Sequence, residues 1–474
     1  MIHFLIEYVR QFVRFQRNAR LYLISNALGG ITTGIVLVLY NLYLVSLGYG
    51  ADFVGVLLLV GTLGAGLAIF PAGVCVDRFS GKAILIWSSL LIGVAGIGLF
   101  LFRQPIPLLV SSFVAGIGGA FLLVINAPFL TVNSIPAERP YLFSLNIVLS
   151  LVTTVLGKLV GGVLPVWFGA ISWLMAPLTS WSAWLLANQP DARSYQLALL
   201  FAGVIAGPSL IPLFLMSDDR HRRVDVPHHP RSVPDSFRTA IHRALRREAW
   251  HRPILRSPIF LLSLTQALIG LGAGLIIPYF NIYFVQHLHA SSALFGLIDG
   301  TATAMVALFT LCAAWLATRV GKVNTIVLTE LASIPLLLTI GLTGILPLAA
   351  VLYLFRYGLM DMSIGIFQFF SMEVVPKDRR GLANSSYQAS FQVPWALAAP
   401  LGGLVIVHLG YPPIFIAAAV CYLLSIVILW GRFGRGKRRQ FEQRDEMNTE
   451  EITEYAPDVK DQCSTRHHNS VTSS

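Results

Sequence analysis

Charge is what this chain has least of. Only 12% of its 474 residues are Asp, Glu, Lys or Arg, against about 25% in a soluble domain, so water is not the main solvent of its surface. Cysteine is scarce as well: Cys75, Cys312, Cys421 and Cys463 have no metal-ligand spacing and imply no disulfide framework. A phosphate-cradling glycine loop, a nucleophile elbow and a cluster of metal ligands are also missing, so nothing in the sequence points to an enzyme, a cofactor or a metal. No short apolar core with a small-residue cleavage site stands at the N-terminus, and the first apolar run is expected to act as an uncleaved insertion signal. The formal charge of +11 does not point to nucleic acid, because the basic residues lie between the apolar runs rather than in one patch.

What the chain has in abundance is apolar sequence. Its composition is 55% hydrophobic, and runs long enough for a helix of about 20 residues to cross a bilayer recur. Six are expected at 21–46, 51–72, 83–102, 107–133, 140–168 and 195–216. Six more are expected at 257–286, 291–317, 323–343, 346–372, 381–408 and 411–431. The fold class is therefore an all-α integral membrane protein of twelve transmembrane helices. The expected organisation is an N-terminus over 1–20, a six-helix bundle over 21–216, a polar linker over 217–256, a second bundle over 257–431 and a polar, disordered tail over 432–474. Residues 1–20 alternate aromatic and arginine positions, which suits either a helix lying in the membrane interface or a simple basic anchor.

Lys and Arg in the connections set the orientation. One side carries the N-terminus, Arg78 and Lys82, Arg139, the arginines of 217–256, Arg319 and Lys322, Lys377, Arg379 and Arg380, and the start of the tail; the other carries Arg103 and Arg193. Both termini are expected on the cytoplasmic side of a plasma or inner cell membrane. The stretch 170–187 holds Trp173, Trp181 and Trp184, with Pro177 and Thr179-Ser180 interrupting it. It reads as an amphipathic loop on the outer surface rather than a span.

The two bundles repeat. Asn41-Leu-Tyr43 matches Asn281-Ile-Tyr283 at an offset of 240 residues, Pro107 matches Pro347, and Gly81-Lys82 matches Gly321-Lys322. Pro136, Glu138 and Arg139 match Pro376, Asp378 and Arg379, and Gly161-Gly162 matches Gly402-Gly403 at an offset of 241. Six spans per half is an even number, so the halves share one orientation.

Between the second and third runs stands Gly73-Val-Cys-Val-Asp77-Arg78-Phe-Ser80-Gly81-Lys82. With Gly73, Asp77, Arg78 and Lys82 in place, it resembles the signature between helices 2 and 3 of the major facilitator superfamily (MFS). Ser80 stands where that family has glycine, and Gly81 where it has a basic residue. The resemblance covers roughly 20–431. It implies the MFS fold of two parallel six-helix repeats, alternating access around a site between spans 1, 4, 7 and 10, and an inner gate at this motif. Its Asp77 would lie at the start of span 11, near Gly381, and Arg78 would face Glu138 or Asp378. Gly157, Gly161 and Gly162 resemble the glycines of the family's antiporter motif, with Lys158 in place of its proline, and are expected to pack helices. The family's arginine on span 4 is replaced by Ser112.

A charge at the centre of a membrane helix costs about 2.5–3.5 kcal/mol on insertion scales, so such residues usually face a cavity or a partner. They are Lys158, Asp299, Glu330, Arg356 and Asp361. At 1.5 Å per residue, Lys158 lies roughly 15 Å and Asp299 roughly 12 Å from the outer ends of their spans. Those spans face each other in the family, so an outer ion pair is expected, with Arg356 competing for Asp299. Asp361 is the candidate for substrate or proton binding, together with Asn41, Asn281 and Gln388; Asn384, Gln388 and Gln392 share one helix face. Glu330 is expected to be structural. The expected function is proton-coupled efflux of a small apolar or amphipathic compound by a monomer in the lipid bilayer. The alternatives are a symporter or facilitator for a polar solute, and a non-transporting receptor or assembly protein.

Overall fold

Backbone groups in hydrocarbon must find partners inside their own segment, and each apolar run of this chain forms one helix. The computed structural model describes residues 12, 15–135, 138–178, 185–218, 257–375 and 380–434, except for the side chains of Asp77, Pro140 and Leu382. Most of the N-terminal segment, the linker, the tail, Trp181, Trp184, Lys377, Asp378 and Arg379 lie outside these residues.

The first half contains α1 (Arg17–Ser46), α2 (Ala51–Arg78), α3 (Gly81–Leu101), α4 (Pro105–Val132), α5 (Arg139–Gly169) and α6 (Pro190–Leu215). The second contains α7 (Pro258–His287), α8 (Ser292–Val320), α9 (Lys322–Leu342), α10 (Leu346–Val374), α11 (Arg380–Leu409) and α12 (Pro412–Phe433). All twelve are long and apolar enough to cross a membrane. Starts are marked by proline in the first turn of α4, α6, α7 and α12. Ser80, Ser257 and Ser291 accept backbone N–H bonds as N-caps of α3, α7 and α8. Gly321 joins α8 to α9 at φ +88°, a conformation that favours glycine.

Helix neighbours repeat between the halves. Helix α1 packs on α5 and α6 as α7 packs on α11 and α12, and α4 packs on α2 and α3 as α10 packs on α8 and α9. The repeat reaches single hydrogen bonds. Tyr43 Oη donates to the Phe100 carbonyl at 3.1 Å, and Tyr283 Oη donates to the Ile340 carbonyl at 2.5 Å, each tying the first helix of its half to the third. The halves meet along two main crossings, α5 on α8 and α11 on α2, with a smaller contact of α1 on α7 and α8. Leucine, isoleucine and tryptophan side chains stand exposed around the bundle, among them Leu67, Trp87, Ile106 and Leu311, as a surface facing lipid requires.

Two boundaries and the interior of one helix stand out against the sequence reading. Helix α2 runs on to Arg78, so Gly73, Asp77 and Arg78 lie on its last turns, and only Phe79 and Ser80 separate it from α3. Gly73 does not break the helix, and Ser80 starts the next one, its Oγ accepting the Ala83 N–H, a side-chain bond that the family's glycine at that place lacks. Helix α6 begins five residues earlier than expected, at Pro190, which brings Arg193 into its first turns. That guanidinium is 2% exposed and donates to the carbonyls of Leu174, Ala176, Ala187 and Asn188. Arg193 thus staples the loop after α5 instead of merely flanking a span. The described part of that loop holds one short turn of helix, Ser172–Met175. Finally, α7 is not one regular helix. It passes through a 3-10 turn at Ile277–Tyr279, where Pro278 has no N–H to continue the α ladder, and a π turn at Tyr283–His287.

Candidate functional site

The loops with Arg78, Lys82, Arg139, Arg319 and Lys322 mark one end of the bundle, the basic end; the other is the far end. At the far end, glycines let the halves touch. A Cβ on Gly162 of α5 would lie 2.7 Å from the Ser292 carbonyl oxygen and 2.9 Å from Gly296 Cα on α8. Ser292 Oγ donates to the Gly162 carbonyl at 3.0 Å. Gly157 and Gly161 face α1 of their own half instead, a Cβ on Gly161 falling 2.8 Å from Ile35 Cα. The second crossing mirrors this: Gly402 faces α7, and a Cβ on Gly403 would meet Asp52 Cα on α2 at 2.7 Å.

One turn from Gly162 toward the basic end stands Lys158, 4% exposed. Its Nζ is 2.8 Å from Asp299 Oδ2 and donates to Thr303 Oγ1 at 2.7 Å. Thr303 spends its own proton on the Asp299 carbonyl one turn back, at 2.8 Å, so a lone pair is left for the ammonium. Tyr353 Oη donates to Asp299 Oδ1 at 2.9 Å, and the ring of Tyr357 lies 5.9 Å from Nζ. The pair therefore bridges α5 and α8, and hence the two halves, with both carboxylate oxygens engaged. Good geometry and extra hydrogen bonds are what a buried ion pair needs to offset desolvation.

Arg356 does not join it. Its guanidinium is 2% exposed, donates to Tyr422 Oη at 3.4 Å and lies 5.3 Å from the Phe280 ring centroid, and its Nε has no hydrogen-bond partner. The expected competition for Asp299 fails because Tyr353 and Lys158 occupy that carboxylate, and because position 356 points off the face shared by 353 and 357. Asp361 does share that face, at steps of four from Tyr353 and Tyr357. It is half-buried, forms no ion pair or hydrogen bond with another described residue, and has Arg356 and Lys158 within electrostatic reach. Glu330, on α9, is buried against Ser363, with Oε2 lacking a partner.

Asn384, Gln388 and Gln392 are all exposed on α11. Asn41 and Asn281 are not open in this way. Their amide groups donate across the halves, to the carbonyls of Pro278 and Val38, so in this conformation neither donor is free for a substrate. At the basic end, Lys82 Nζ donates to the carbonyls of Phe214 and Met216 at 2.9 and 2.5 Å. It closes the C-terminus of α6, where a cation is favoured, and works within the first half rather than between halves. Arg78 is exposed. Lys322, the counterpart of Lys82 in the repeat, instead pairs with Glu373 at 2.6 Å. Sequence reasoning missed Thr303, Tyr353 and Tyr357. The signal was there: Tyr353, Tyr357 and Asp361 fall on one stripe, as do Asp299 and Thr303.

Two six-helix halves of one orientation, with a buried polar seam between them, define a membrane transporter fold. The profile of the Major Facilitator Superfamily matches residues 22–266 and 262–454, and the chain belongs to that family. Solved structures agree in fold. A bacterial homolog to the human lysosomal transporter Spinster, inward-facing and occupied, is 14% identical, with a TM-score of 0.66 over 87% of this chain and 96% of that one. A bacterial homologue of the iron transporter ferroportin, inward-facing, is 16% identical, with a TM-score of 0.64 over 90% and 99%. The D-xylose-proton symporter is 14% identical, with a TM-score of 0.62 over 87% and 97%.

Proposed function

We propose that this chain is a secondary transporter that works by alternating access and exports a small apolar or amphipathic compound against a proton gradient. The observation that carries the reading is the Lys158–Asp299 pair, which joins the halves at the far end, together with the glycine crossings beside it. With the basic end cytoplasmic, this is a state closed to the outside. Opening outward requires the pair to break, which makes its charge state a natural point of coupling. Asp361, half-buried and one face-step from the network, is the proton or substrate carboxylate. Asp361→Asn is expected to lower gradient-driven transport at least tenfold while leaving the chain folded. Vesicle uptake with an imposed proton gradient measures this; gradient-driven uptake at wild-type rate in the variant removes Asp361 from the mechanism.

The exposed amides of α11 favour a second reading, a polar solute carried by symport or facilitation. Amides are costly against lipid and at home in a water-filled cavity. Substrate accumulation that follows the proton gradient inward decides for this reading, and efflux decides for the first. A protein whose inside and outside accessibility never changes is a non-transporting relative.

The inner gate of the first half is assigned to Asp77 near the start of α11, where a helix N-terminus favours negative charge. Asp77→Asn is then expected to weaken the outward-open state, read as increased labelling of cysteines placed in the inner cavity. Unchanged labelling would refute this assignment.

A further inference from the structure

We infer that Asn41 and Asn281 form a reciprocal latch between the two halves that must open in every transport cycle. The inference rests on the alternating-access reading above and adds gating residues to it. Asn41 Nδ2 donates to the Pro278 carbonyl at 2.7 Å, and Asn281 Nδ2 donates to the Val38 carbonyl at 3.2 Å. The donors are 240 residues apart, and so are the acceptors, Val38 and Pro278. The two bonds are therefore images of each other under the internal repeat. They lie on either side of the axis that relates the halves, joining α1 to α7 near the far end.

Local chemistry explains why the acceptors are available. In a regular helix the Pro278 carbonyl would be served by the N–H of Ile282. Here that N–H is held by Asn281 Oδ1 at 2.9 Å. The break at Pro278 thus exposes a carbonyl, and Asn281 both maintains the break and reaches across to the other half. Helix α1 is continuous at Val38, whose carbonyl accepts Asn281 with its second lone pair. Val38 and Asn281 are buried. In such surroundings an unmade hydrogen bond is costly, so the latch holds the far end shut only while both halves stay in register. Rocking of one half against the other parts both bonds together.

The tripeptides Asn41-Leu-Tyr43 and Asn281-Ile-Tyr283 thereby divide their labour in the same way in each half. The asparagine reaches the other half, and the tyrosine, through Phe100 or Ile340, holds its own.

The test uses the full chain without native cysteines, with Gln104→Cys and Gly344→Cys carrying spin labels. Both positions are exposed, lie at the far ends of α3 and α9, and are 240 residues apart. Pulsed dipolar spectroscopy reads the distance between the halves and needs no substrate. Asn41→Leu removes one donor at nearly constant size, and Asn281→Ser, too short to reach the Val38 carbonyl, removes the other without adding charge. Each is expected to raise the far-end-open population about fivefold, the ratio set by about 1 kcal/mol for one neutral hydrogen bond. The double variant is expected to exceed both. Asn41→Ser, which cannot reach Pro278, is the second choice where Asn41→Leu folds poorly. The control is Asn26→Leu, since Asn26 bonds Asn146 inside the first half at 2.8 Å. Unchanged distances in a folded Asn41 variant, or an equal shift in the Asn26 control, overturn the latch. Distances that respond in a protein that moves no solute overturn the transport reading instead and leave the latch standing.

Discussion

Lys158→Met abolishes transport, and so does Asp299→Asn, while the exchange Lys158→Asp with Asp299→Lys restores part of it. This is the expected result if the pair holds the far end shut. Methionine keeps the length of the side chain and removes its charge, leaving Asp299 buried with Tyr353 and no cation at 2.8 Å. Removing one member of a buried pair costs about 3–5 kcal/mol. Drawn from one state of a two-state cycle, that shifts the balance by on the order of 10²–10⁴, enough to trap the protein open at the far end. Recovery in the exchange is partial, because Thr303 and Tyr353 are placed for a cation on α5 and an anion on α8. Among the described residues the matching crossing of α11 and α2 shows no such pair; a Cβ on Gly55 would there lie 2.6 Å from both the Ala399 carbonyl oxygen and Pro400 Cα. Proteoliposome transport of the single and double variants measures the effect. Fully additive losses, with nothing regained in the exchange, would sink the coupling.

Gly162→Val is expected to stop transport without unfolding the chain. Its first side-chain carbon would sit 2.7 Å from the Ser292 carbonyl oxygen and 2.9 Å from Gly296 Cα. Both are backbone atoms and cannot swing aside, so α5 and α8 must separate. Overpacking of this kind costs about 1–3 kcal/mol, and here the strain is relieved by parting the halves. Gly161→Val provides the contrast. That residue faces Ile35 within the first half, so the damage should fall on stability, as a lower melting temperature and poor yield. Cysteine accessibility at the far end, with thermal melting, separates the two. Wild-type transport by Gly162→Val would show that this crossing need not close.

How much was legible in the sequence follows from what a helix makes linear. Depth in the membrane is residue number times rise, so the spans, the repeat and the common level of Lys158 and Asp299 could be read without a structure. Azimuth is different. It depends on which ridge packs into which groove, and apolar helices are too uniform to announce it. Arg356 lies at the right depth on the wrong bearing, and Tyr353, three residues earlier, takes the contact. The exact ends of α2 and α6 were obscured for another reason: both extend past the apolar run, α2 through Asp77 and Arg78 and α6 back through Arg193, because polar residues at the interface find water or carbonyls there. Asn41 and Asn281 were legible as a repeat but not as partners of backbone, since only the break at Pro278 frees the carbonyl that Asn41 takes.

That break makes the two leaves of the door unequal. Helix α1 is a stiff rod from Arg17 to Ser46, while α7 changes its winding three times before His287. A rod can only swing as a whole; a jointed strut can fold at its tip while its base stays put. Entry and exit at the far end therefore need not be mirror-image events, and a solute can be sealed in by the tip of α7 alone before the larger body has begun to turn.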